Sequence, residues 1–121
     1  MNNAKKIEWI LRIGVAGEFL GHGVFALQGK ASWIEWTQQL SGLGAPAAAT
    51  FIFWVGVVDV LLALLVLVKP VRPALLWMAL WGFWTALVRP LVGDPIWDFV
   101  ERWANWAAPL ALYLVIGKPK R

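Results

Sequence analysis

The chain has 121 residues, 60% of them apolar and only 15% charged, with a mean hydropathy of +0.66. A soluble domain this short has too much surface to hide that much hydrocarbon, so lipid is the expected solvent and one domain is expected. The net charge of +4 is carried by basic residues at segment ends rather than in one stripe, which excludes a nucleic-acid footprint. The absence of cysteine excludes disulfides, thiol relays and thiolate metal sites, and any redox role would run through a bound cofactor or a partner.

Lys5 and Lys6 ahead of an apolar run give the N-terminus the look of a signal peptide. Arg12, Glu18 and His22 interrupt the run and no small-x-small site follows, so it reads as a retained helix. This first predicted helix covers 7–27, about 21 residues, which at roughly 1.5 Å each is just enough to span a bilayer. Gly14, Gly17 and Gly21 recur along it, and a small-x-x-x-small pair lets another backbone approach. Glu18 and His22 border that side, which points them inward.

Residues 28–45 follow. Ser32-Trp33-Ile34-Glu35 matches a capping box, and Trp33, Trp36 and Leu40 recur at helical spacing. A short helix lying at the membrane interface is expected, ended by Gly42, Gly44 and Pro46. The second long helix covers 46–68 and is almost purely apolar apart from Asp59. A basic turn at 69–72 leads to the third helix, over 73–89, where Pro90 biases Arg89 away from helical geometry. Trp77, Trp81 and Trp84 line up along it. Asp94-Pro95 reads as a cap followed by proline at the first helical position, opening a fourth helix over 95–116. Pro109 should kink that helix and free the carbonyl of Asn105.

The expected fold is therefore all-α, a single four-helix transmembrane bundle over 1–121 with a short interfacial helix between the first two spans. Four spans put both termini on one side. That side collects Lys5, Lys6, Arg12, Lys69, Arg72, Lys118, Lys120 and Arg121, against Lys30, Arg89 and Arg102 on the other. The positive-inside rule places the termini in the cytoplasm of a bacterial-type inner membrane.

At roughly 1.5 Å per residue, Glu18 and Asp59 lie about 14–17 Å deep, Asn105 about 18 Å, and His22, Arg89 and Arg102 about 22–24 Å. Placing one charge in mid-membrane costs about 2.5–3.5 kcal/mol on insertion scales, so mutual pairing is expected around an outward-opening cavity floored by Glu18 and Asp59. The plainer alternative is that these groups only clip the helices together. His22 alone is a poor case for a haem ligand, and no metal-ligand spacing is present. Trp9, Trp33, Trp36 and Trp97 fit interfacial belts. Trp81, Trp84, Trp103 and Trp106 lie deeper, where they either pack the bundle or stack on a flat ligand.

Arg12-Ile-Gly14 with Glu18-Phe-Leu-Gly21-His22-Gly23, the loop ending Gly42-Leu-Gly44-Ala-Pro46, Asp59 in the second long helix and the proline-delimited third helix resemble the DoxX-like family of small four-helix membrane proteins. The resemblance covers most of the chain and implies that Arg12, Glu18, His22 and Asp59 occupy the family's polar positions. It further implies association with quinone-linked redox complexes or with assembly of membrane proteins. The cysteine pairs of some relatives are absent, so their thiol chemistry does not carry over, and sulfur oxidation by this polypeptide alone is not expected.

The functional expectation is a membrane subunit binding a quinone or similar flat apolar ligand. Glu18, His22 and Asp59 would handle protons, and Arg12, Trp81, Trp84, Arg89, Arg102 and Asn105 would bind the ligand. Proton-coupled quinone chemistry wants a buried acid or imidazole within reach of the carbonyl oxygen. The competing expectation is a non-catalytic accessory or assembly subunit of a larger membrane complex. In either case the partners are the bilayer and other membrane subunits or further copies of the chain.

Overall fold

Along the first helix, Arg12, Val15, Ala16, Phe19, Gly23 and Ala26 are buried, a spacing of three and four residues that gathers them on one face. Ala48, Ile52, Gly56, Asp59, Ala63 and Val66 do the same along the second long helix. Where these stripes cross, Gly23 and Gly56 let the backbones meet: a Cβ on Gly56 would stand 2.8 Å from the Gly23 carbonyl oxygen.

The computed structural model describes residues 1–117; the basic residues read at 118, 120 and 121 lie outside the described residues. Among these the chain is helical without strands, with α1 Asn3–Leu27, α2 Ala31–Ser41, α3 Ala45–Val68, α4 Arg72–Leu91, α5 Ile96–Val100 and α6 Ala104–Val115. Helices α1, α3 and α4 are long and apolar enough to cross a membrane, which fits a multi-pass membrane protein. Their outer faces agree, with Ile10, Leu61 and Leu80 each at least 60% exposed. Soluble monomers rarely expose contiguous apolar surface on that scale.

Helix α1 packs along α3 and against α6, and α6 packs on α4. Helices α3 and α4, though joined by the short turn at 69–71, have scarcely any direct contact. The core sits at the end of the bundle nearest the N-terminus. There Val15, Ala16 and Phe19 of α1, Ala63 and Val66 of α3, Leu75 and Met78 of α4, and Leu112 of α6 form one buried cluster. Toward the opposite end α3 and α4 part, and α2 packs on α3.

Several expectations are corrected. The fourth predicted helix, 95–116, is broken into α5 and α6 by a turn over 101–103. The Arg102 guanidinium donates to the Asp98 carbonyl at 2.9 Å, while its own amide turns to Phe99 instead. A side chain has displaced the backbone donor, and the following amides tighten to i→i−3 bonds. Helix α4 does not stop at 89: it continues through Pro90 to Leu91. A proline in the last turn forfeits one ladder bond, to Ala86, and the amides of Val92, Gly93 and Asp94 close the end on Val88, Pro90 and Arg89.

Neither predicted cap is used. α2 opens at Ala31 behind Lys30, and α5 behind Pro95, without side-chain capping bonds. Gly42, at φ +78°, does end α2, its amide donating to Gln38. The Gly14, Gly17 and Gly21 face meets nothing within 4 Å. The close approach runs through Gly23 and Gly56 instead, because the buried stripe of α1 is the heptad-like face containing Gly23.

Candidate functional site

Where α3 and α4 part, a cavity of about 370 Å³ opens. Its walls follow from helical spacing. α3 supplies Ile52, Val55 and Asp59 (i, i+3, i+7), and α4 supplies Trp81, Thr85, Val88 and Arg89 (i, i+4, i+7, i+8), with Trp84 beside them. α1 contributes His22 alone, and α2 covers the cavity with Trp33, Trp36, Thr37 and Leu40.

The polar groups of this cavity are deeply placed and poorly matched. Asp59 is 3% exposed and Arg89 7%, yet neither forms an ion pair among the described residues, where the salt bridges are Lys5–Glu8, Arg12–Glu8 and Arg102–Glu101. Mutual pairing of the deep charges, expected from their depths, is thus corrected. The acids lie on α1 and α3 while Arg89 rides on α4, and the cavity stands between those helices. Arg89 instead donates Nη1 to the Thr85 carbonyl at 2.5 Å and sits 5.1 Å from the Trp36 ring centroid, a cation–π arrangement that eases a buried guanidinium. His22 stands edge-on to Trp33, ring centroids 5.7 Å apart.

The predicted residues divide into three groups. His22, Asp59, Trp81, Trp84 and Arg89 line the cavity. Glu18 does not line it. Its Oε2 is buried without a hydrogen-bond partner among the described residues.

Arg12, Arg102 and Asn105 are elsewhere. Arg12 donates Nε to the Val66 carbonyl at 3.0 Å and Nη2 to that of Leu67, pairs with Glu8 at 3.2 Å, and stacks 3.8 Å from the Trp9 ring. It caps the C-terminal end of α3, whose last carbonyls have no partner of their own. Arg102 is held in the α5–α6 turn by Asp98 and Glu101. Asn105 packs its carbonyl against Gly82, where a Cβ would clash with the carbonyl oxygen.

Reading the sequence missed Thr37, Thr85 and the inward role of Trp33 and Trp36. The Trp33, Trp36, Thr37, Leu40 spacing was visible, but it marks an amphipathic face without saying whether that face meets headgroups or protein. Among the described residues no group of His, Asp and Glu is placed to hold a metal ion. The cavity offers instead one carboxyl, one imidazole, one guanidinium and the hydroxyls of Thr37, Ser41 and Thr85 inside aromatic walls. Such a site can orient a flat apolar molecule carrying hydrogen-bonding oxygens. No protein-family model, no curated protein and no solved structure matches the chain.

Proposed function

We propose that this chain is a DoxX-like membrane subunit that binds a quinone in the cavity between α1, α3 and α4 and takes part in proton-coupled redox chemistry. The observation that carries the reading is Asp59, buried, without an ion-pair partner among the described residues and facing an aromatic-walled cavity. A carboxyl group accepts from a quinol hydroxyl when ionised and donates to a quinone carbonyl when protonated, so it serves either redox form. Glu18, with its buried Oε2, is a second proton station, and His22 a third. Trp81 and Trp84 wall the ring, and Arg89 supplies a donor to the far carbonyl. Electrons come from a bound cofactor or a redox partner, since the chain has no cysteine.

In this reading α5 and α6, with the turn between them, complete a fourth crossing. α2 lies at the outer interface, both termini face the cytoplasm, and the membrane is of the bacterial inner type. A second reading, the accessory or assembly subunit, is favoured by the outward Gly14, Gly17 and Gly21 face, which suits close approach of another membrane helix.

The experiment is purification in mild detergent, extraction of bound lipid-like molecules, and titration with a tail-less benzoquinone that quenches tryptophan fluorescence. A co-purifying quinone and saturable quenching are expected. Asp59→Leu should weaken binding by about tenfold or more, the cost of losing a buried polar partner. Should no quinone co-purify and Asp59→Leu and Trp81→Ala both leave quenching unchanged, the reading fails. A fixed heteromeric complex, pulled down without ligand, would favour the accessory role.

A further inference from the structure

A second cavity of about 240 Å³ lies between α3 and α4 alone. It shares Phe51, Val55, Asp59 and Trp81 with the larger one, so the two adjoin. We infer that this crevice is a tail subsite and that the occupant of the combined site is a single-chain amphiphile entering sideways from the bilayer, its head near His22, Asp59 and Arg89. The inference rests on reading the larger cavity as a head-group site, and it adds a chain, a route and a set of residues for both.

Polarity divides the two spaces. The larger carries His22, Thr37, Thr85 and Arg89, whereas the smaller has no charged or hydroxyl side chain except Asp59. Asp59 stands at the junction, nine-tenths buried and without an ion-pair partner among the described residues, and so marks where head ends and tail begins. Beyond it, Trp77 and Trp81 stack with centroids 5.6 Å apart and planes 20° apart, a flat apolar wall.

The outer rim is open. Trp54, Val58 and Trp77 are 58%, 44% and 44% exposed, on the side where lipid would lie. Because α3 and α4 scarcely touch there, a chain can enter without breaking a packed seam. Lipid chains are as apolar as the side chains that they meet, so the crevice gains little from closing on itself.

The test uses the protein in phospholipid vesicles and a quinone whose octyl tail ends in a diazirine. Irradiation should give saturable adducts at Trp54, Val58 or Trp77, competed by unlabelled decyl quinone. Val58→Trp, at an outward position, should abolish them while quenching by the tail-less quinone and the thermal transition stay unchanged. Adducts on α2, at Trp36 or Leu40, would overturn the inference by sending the tail out through the mouth. So would equal labelling of the crevice by a two-chain phospholipid carrying the same diazirine. A fatty alcohol bearing the diazirine separates the two ideas. If the tail-less quinone fails to quench but this alcohol still labels the crevice and Val58→Trp blocks it, the quinone assignment falls and the tail subsite stands. If neither probe labels the crevice the tail subsite falls, whether or not the tail-less quinone quenches.

Discussion

Arg12 shows how one polar side chain inside an apolar helix can belong to architecture rather than chemistry. Its guanidinium spends two donors on the α3 carbonyls of Val66 and Leu67 and a third on Glu8. Arg12→Gln should therefore lower stability by roughly 1–3 kcal/mol, the cost of leaving buried carbonyls unpaired, seen as a fall in the detergent unfolding midpoint. Quenching by the tail-less quinone, where the proposed site binds it at the other end of the bundle, should not move. Gly17 gives the opposite case. Nothing lies within 4 Å of a Cβ there, so Gly17→Ala should raise the midpoint slightly, by about 0.5–1 kcal/mol of helix preference. A large loss with Gly17→Ala in native membranes, but not in purified protein, would instead reveal a partner helix on that face.

At the scale of the element, two prolines have different consequences. Pro90 falls in the last turn of α4, where one missing bond changes little. Pro109 falls inside α6 and removes the amide that would have bonded the Asn105 carbonyl. That carbonyl lies against Gly82, so the proline in one helix and the glycine in its neighbour are parts of one crossing. Gly82→Ala would drive a Cβ into the Asn105 backbone oxygen, which cannot rotate aside. It should destabilise by roughly 1–3 kcal/mol or more, read as a lowered unfolding midpoint. Gly82→Ala tolerated without loss would show that α4 and α6 do not cross here. The same reasoning explains α2. It is short, ends at a left-handed Gly42 and has no fully buried residue of its own, yet its tryptophans cover the cavity because His22 and Arg89 give them partners.

The whole molecule is a bundle tight at one end and parted at the other, and the cavity is the direct result of that taper. Its orientation in the membrane is testable because the chain has no cysteine, so single cysteines report cleanly. Asn2→Cys and Lys69→Cys should react with a membrane-impermeant maleimide only after permeabilisation, and Gln39→Cys and Pro95→Cys in intact cells. Reaction of Asn2→Cys from outside would reverse the topology, and opposite behaviour at 2 and 69 would break the helical hairpin count.

The letters alone determined the helical class and the three helices long and apolar enough to cross a membrane, because burying or exposing apolar residues is dictated by composition and by the 3.6-residue period. They also marked His22, Asp59, Trp81, Trp84 and Arg89, since a polar or large aromatic side chain inside a greasy helix is conspicuous wherever it points. What only the tertiary structure decided was which of the marked groups share a space. Arg12 and Arg102 look like Arg89 in sequence, but one meets the open carbonyls of α3, another a turn of its own making, and only the third a cavity. Depth along a helix can be counted from the sequence; rotation about the helix axis and the distance to the next helix are set by whichever small residues allow contact. Here those were Gly23, Gly56 and Gly82 rather than the regular glycine stripe of α1.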